Sequence, residues 1–202
     1  MVMKRKDREM LKQKDKEIIV EFHQAYQSSR FAMDKEDIVF DYPWFEGWSK
    51  EGVLDVTQYP RATDQDLAWL ESQLPAKLPA LYQAYLLGPR CVDMDFDRFK
   101  LFPNLPGEGL TQIYKQMTND ENMHLPLLKK GFIPIGKGAD YNYDPLCLNI
   151  ALRKDEGDFE VVTFDHEEIL CENLFKPWKV SDSFRELILN LIESCKENGK
   201  NS

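Results

Sequence analysis

The sequence contains no apolar run long enough to cross a bilayer, no excess of positive charge, few histidines and no paired cysteine motif. Its longest apolar runs, such as Ile18-Ile19-Val20 and Phe132-Ile133-Pro134-Ile135, fall far short of the ~20 residues a membrane span needs. The basic start Met-Val-Met-Lys-Arg-Lys-Asp-Arg is followed by Glu-Met-Leu-Lys-Gln-Lys-Asp-Lys-Glu, which is no signal-peptide hydrophobic core. A cytoplasmic protein is therefore expected. Basic side chains number 26 against 35 acidic ones, a net charge of -9. A nucleic-acid binder needs a basic surface to displace counterions from phosphates, so that class is set aside. The four cysteines stand at 91, 147, 171 and 195 with no Cys-x-x-Cys among them. They are expected to be reduced, buried small groups, with neither disulfide nor metal.

What is present is a core. Hydrophobic residues make up 43% of 202 positions, enough for one large domain that folds without metal or cross-links. Charge is uneven along it. Residues 1–17 carry a balance of +3 and the remainder -12, so the basic start reads first as a solvated helix end.

Leu11, Ile18, Phe22, Ala25 and Tyr26 recur at helical spacing and predict an amphipathic helix over roughly 8–29. Residues 38–42 and 53–59 read as strands around the aromatic loop Pro43-Trp44-Phe45-Glu46-Gly47-Trp48. That loop is either a platform for sugar or peptide or a cover pinned by its own rings. Thr63 and Asp66 suggest a capping box before Leu67, Leu70 and Leu74, and Pro75 ends that helix. Pro79 suits the first turn of a second helix with Leu81, Tyr82, Tyr85 and Leu86, closed by Gly88 and Pro89. A strand near 91–96 and a helix near 110–118 follow. Residues 132–135, 146–152 and 159–164 then read as strands, and their short connections imply an antiparallel meander. Ser183 and Glu186 open a last helix with Phe184, Leu187, Ile188, Leu191 and Ile192 on one face.

Few motifs survive a test of mechanism. Gly131 to Gly138 nearly fits a phosphate-binding loop, but Gly138 replaces the magnesium-holding Ser or Thr and a hydrophobic strand fills the cradle. Asp93-x-Asp95-x-Asp97 and Asp140-x-Asn142-x-Asp144 open like calcium loops yet lack Gly at the sixth position and Glu at the twelfth. If 93–97 is extended, its three aspartates share one face, as a solvated surface or as a docking surface for a basic partner. Asp165-His166-Glu167-Glu168 lacks a second histidine at ligand spacing. No Gly-x-Ser-x-Gly elbow is present. Neither a catalytic group, a metal nor a cofactor is expected.

The order of the pieces resembles the SUKH superfamily, which includes fungal cell-wall-assembly and glucan-synthesis regulators and bacterial toxin-immunity proteins. The resemblance runs over roughly residues 62–195. It is carried by Asp66–Leu74 and Leu78–Leu86, by Phe132-Ile-Pro-Ile-Gly136 and Leu146-Cys-Leu-Asn149, and by Val161–Glu167 and Ser183-Phe184. It implies an α+β fold, a largely antiparallel sheet flanked by helices, with residues 1–61 as an added N-terminal arm on a domain spanning 62–202. It also implies a non-catalytic protein-binding module. The leading expectation is an immunity protein that neutralises a basic toxin or nuclease domain; the alternative is a scaffold of envelope assembly, with an unrecognised hydrolase behind both. Asp93, Asp95, Asp97, Asp140 and Asp144 are the expected partner-binding residues, because acids in turns beside a rigid sheet are exposed and well positioned.

Overall fold

The computed structural model describes residues 5–29, 60–91, 94–105, 109–139, 142–153 and 157–199. The expected strands at 38–42 and 53–59 and the aromatic loop at 43–48 lie outside them, as do Asp93 and Asp140. Along the described chain run α1 (Arg5–Gln27), α2 (Asp64–Gln73), α3 (Ala80–Leu86), β1 (Met94–Phe96), β2 (Phe99–Leu101), α4 (Thr111–Thr118), α5 (His124–Lys129), β3 (Phe132–Gly138), β4 (Pro145–Arg153), β5 (Phe159–Thr163), α6 (His166–Glu172), β6 (Trp178–Ser181) and α7 (Phe184–Glu197). The fold is α+β. The six strands of the described residues pair in chain order, every pair antiparallel.

Local chemistry sets several boundaries. Thr63 Oγ1 accepts from the Asp66 amide while the Asp66 carboxylate accepts from the Thr63 amide at 2.8 Å, a closed capping box at the start of α2. The α7 cap is only half of one. Ser183 accepts from the Glu186 amide, but the Glu186 carboxylate turns to the Ser181 hydroxyl and the Asp182 amide at 2.8 and 2.7 Å. Gly136 has no freedom to be anything else. A Cβ there would lie 2.3 Å from the Lys100 carbonyl oxygen on β2, so a side chain would force the two strands apart.

Alternation along β4 and β5 splits the apolar residues between two clusters. Leu146, Leu148, Phe159 and Val161 join Ile133 and Ile135 of β3 in the larger cluster, together with Phe22, Leu70, Tyr82, Tyr85, Phe184 and Ile188 from the helices. Cys147 and Val162 instead join Phe164, Met123, Leu127 and Ile169 in a smaller one. Helix α1 packs on α3 and α7, and its Ile19 and Phe22 are almost fully buried in the larger cluster. Cys91, Cys147 and Cys195 are buried and Cys171 is exposed, and no disulfide joins any of the four.

The segments on either side of the β1–β2 hairpin hold a buried cation. Arg90, 3% exposed, donates to Asn104 Oδ1 at 2.8 Å and to the Pro60 carbonyl at 3.0 Å. Asn104 in turn donates to the Leu86 carbonyl at 3.0 Å. A charged group this buried is tolerated because its donors are occupied.

No helix among the described residues is long and apolar enough to cross a membrane.

Candidate functional site at one end of the sheet

Strand register brings three connections to one end of the sheet. Phe99 pairs with Gly138, Lys137 with Pro145, and Leu146 with Thr163. The β1–β2 turn, the 139–144 connection and the β5–α6 junction therefore lie side by side. A backbone bond from the Ala139 amide to the Arg98 carbonyl, 3.1 Å, joins the first two. Within the described residues this end carries Asp95, Asp97, Asp144, Asp165 and Glu167.

These carboxylates are not equivalent. Asp95 sits in β1 between buried Met94 and Phe96, so it faces the other way and forms an ion pair with Lys100 at 2.8 Å. Asp97 leaves the strand. Its φ of +31° places it in the turn, so residues 93–97 do not present three aspartates on one extended face. That condition of the sequence reading fails because the strand is only Met94–Phe96.

Asp144 does structural work. Its Oδ1 accepts from the His166 amide at 2.9 Å and lies 2.8 Å from His166 Nδ1, while Oδ2 accepts from Asn142 Nδ2 at 3.1 Å. Partial burial alone would raise the Asp144 carboxyl. The hydrogen bonds from His166 and Asn142 together outweigh that and hold it below the usual carboxylate range. Asp165 is the N-cap of α6, its Oδ1 accepting from the Glu167 and Glu168 amides at 2.8 and 3.1 Å. The ring of Tyr143 stands edge-on to His166, centroids 6.0 Å apart. One carboxylate thus ties the β3–β4 connection to the first turn of α6.

Two chemistries deserve a test against this geometry. Donor atoms of Asp144, Asp165 and His166 lie within 4.8 Å of one another, a spacing open to a divalent cation. Yet Asp144 already accepts from both His166 groups and Asn142, and Asp165 from two amides, so protein donors satisfy the set. The Asp144–His166 pair also has the form of an oriented imidazole, half of a nucleophile-activating device. Among the described residues, no serine or cysteine hydrogen-bonds His166.

Sequence spacing could not find this cluster. Asp144 and His166 are 22 positions apart, joined only by the register that sets Leu146 opposite Thr163. Asp165 was legible as part of an Asp-His-Glu turn but not as a cap, because α6 itself was not foreseen. No family model matches the chain, and no curated protein matches it.

Proposed function

We propose that this chain is a non-catalytic protein-binding module, an immunity protein that works in the cytoplasm by covering a basic toxin or nuclease domain. One observation supports the reading above the others: three connections bearing acidic residues gather at one end of a rigid sheet. In a chain of net charge -9, such an end steers a basic partner towards it and competes for the groove that would hold phosphate. The likeness to the SUKH superfamily in residues 62–195 agrees with that role. Asp144 faces inward on His166, so its part is to hold the loop, and contact falls to Asp97, Glu167 and, after loss of its Lys100 pair, Asp95.

The test is co-expression with a basic toxin encoded beside this chain, followed by binding kinetics on the purified pair. Protection of growth is expected, with an association rate that falls as salt rises. The triple variant Asp95→Asn, Asp97→Asn, Glu167→Gln should associate about tenfold more slowly in low salt with dissociation nearly unchanged, as for charges at an interface rim. Wild-type rates in the variant would overturn the placement of the contact. A chain that protects against no adjacent toxin but binds a wall-synthesis enzyme would overturn the immunity role in favour of the envelope scaffold.

A further inference from the structure

Of the exposed large apolar side chains among the described residues, Tyr143 is the most open, at 57%. The loop that carries it is nevertheless tightly fastened. The Asn142 amide donates to the Ala139 carbonyl at 3.0 Å, and the Gly138 amide to the Asp144 carbonyl at 2.8 Å. Asn142 Oδ1 accepts from the Asp144 amide at 2.8 Å, and the Asp144 carboxylate holds both Asn142 and His166. A Cβ on Gly138 would lie 2.6 Å from Asn142 Cγ, so the loop folds closely back on its own strand. His166 in turn stands edge-on to the Tyr143 ring. A carboxylate orients an imidazole, and the imidazole sets the ring.

A large aromatic side chain held in one place and left open to water is suited to contact. It loses little side-chain entropy when a partner covers it, and tyrosine is among the commonest anchors of protein interfaces. Charge decides what covers it. Apart from the Asp95–Lys100 pair, the carboxylates of Asp97, Asp144, Asp165 and Glu167 outnumber the Arg98 and Lys137 cations at this end of the sheet. Glu167 directly follows His166, is exposed, and its carboxylate has no partner among the described residues. No described cation lies over the Tyr143 ring, whose one ring contact is His166. Its electron-rich face is unused.

We propose that Tyr143 anchors the contact surface by taking one arginine side chain of the basic partner. The guanidinium lies flat on the open ring face and turns its N–H fork towards Glu167. This rests on the basic-partner reading above and names the side chain that reading leaves open. The ring attracts any cation through its quadrupole, but two properties favour arginine over lysine. Its planar group is more weakly hydrated than an ammonium, so stacking on a ring takes less from its solvation. Its donors lie in the plane of the group and stay free for a carboxylate while the ring is covered. An apolar side chain on the ring would instead strip water from Glu167 and put no donor in its place.

The probes are two capped pentapeptides of equal charge, pentalysine and the same peptide with arginine at its centre, titrated into the full chain at low salt. The arginine peptide should bind about threefold more tightly, the size of an exposed cation–ring contact. Its arginine δ-methylene proton signals should move upfield, a ring-current mark of stacking that charge alone does not produce. Tyr143→Phe should keep both effects. Tyr143→Leu should remove both and leave pentalysine binding unchanged, and Glu167→Gln should weaken the arginine peptide more than pentalysine. Equal affinities in the parent, a preference that survives Tyr143→Leu, or the absence of the upfield shift would each overturn the anchor while leaving the immunity role standing. Failure to protect against an adjacent toxin would overturn that role without altering these titrations.

Discussion

The two apolar clusters of this protein are built on different terms. The larger is enclosed by α1, α2, α3 and α7, with Phe22, Leu70, Tyr82, Phe184 and Ile188 wholly excluded from solvent. The smaller lies beneath α5 and α6, helices of six and seven residues, and has little more than Phe164, Val162, Cys147 and Leu127 to hold it. Short helices gain little from cooperativity, so this side relies on polar fastenings: the Asp165 cap, the Asp144–His166 tie and the turn in which Asp120 Oδ1 accepts from the Asn122 and Met123 amides. The Asp144–His166 part of the candidate site sits there. Stability is concentrated where the helices are long, and exposed chemistry where the chain is fastened by hydrogen bonds, a division expected of binding loops.

Truncating one ring in each cluster tests that contrast most severely. Phe184 is fully buried and meets Tyr82 edge-on at 5.0 Å, so Phe184→Ala should cost about 4 kcal/mol in urea unfolding. Phe164, also fully buried, meets only half-buried Phe132 at 4.8 Å. Phe164→Ala should cost about 3 kcal/mol, with amide exchange rising chiefly in α5 and α6. If both substitutions raise exchange uniformly, the chain has one cooperative core and the division fails.

The larger cluster also carries a liability that pH exposes. His23 is 7% exposed, stacks on Tyr85 at 6.1 Å and leaves Nε2 unpartnered. Burial first, then the nearby Arg61 charge, lower its pKa from 6.5 to about 4. The folded chain thus binds fewer protons than the unfolded chain between those values, and stability falls as pH drops from about 6.5 to 4. His23 accounts for about 3 kcal/mol of that loss, and His124 adds to it in the same direction. His23→Phe keeps the stack and removes the titration. It should flatten the pH dependence over that window and be more stable than the parent at pH 5; an unchanged profile would show that the imidazole is hydrated in the folded state.

The same contrast explains what could be read from the residues alone. Leu67, Leu70, Leu81, Tyr82 and Tyr85 fall at helical spacing between prolines, and residues 146–152 and 159–164 are apolar, β-branched runs bounded by turn-rich segments. Those elements, all in or against the larger cluster, were legible and stand close to where they were expected. Illegible were β2, α5, α6 and β6, each of three to seven residues, too short for a period to declare itself. The candidate site suffers most from this. Asp144 was visible as an acid in a turn, but its partner is set by strand register.

Asp144→Ala measures how much the polar fastening contributes. It removes the acceptor of the His166 amide, the His166 ring and Asn142 at once. Because the pair is about a quarter exposed, water compensates in part, and the cost should be about 1 kcal/mol. Its reach should be local: faster amide exchange at 142–144 and 165–168 with the larger cluster unaffected. Elemental analysis of the same two proteins settles the alternative use of these donors. Neither should hold stoichiometric metal, and one zinc per parent chain that is lost in the variant would convert Asp144, Asp165 and His166 from a fastening into a ligand set.

The sheet edges repeat the contrast at its smallest scale. On β1, the Asp95 amide donates to the Tyr26 hydroxyl at 3.2 Å, and the Tyr26 ring meets Phe96 edge-on at 5.3 Å. Helix α1 therefore covers that edge. Strand β6 has no strand beyond it among the described residues, and Trp178 and Val180 stand 42% and 38% exposed on it. Uncovered edges invite pairing with other chains, and a lysine within the strand is one common defence. Lys179 supplies it here, held by Asp182 at 3.0 Å. Val180→Lys should leave unfolding stability within about 0.5 kcal/mol of the parent, because the side chain packs against little. Light scattering at high concentration should fall, since a second charge strengthens the defence. If scattering is unchanged, the single Lys179 already suffices, and the two edges are protected equally by unlike means.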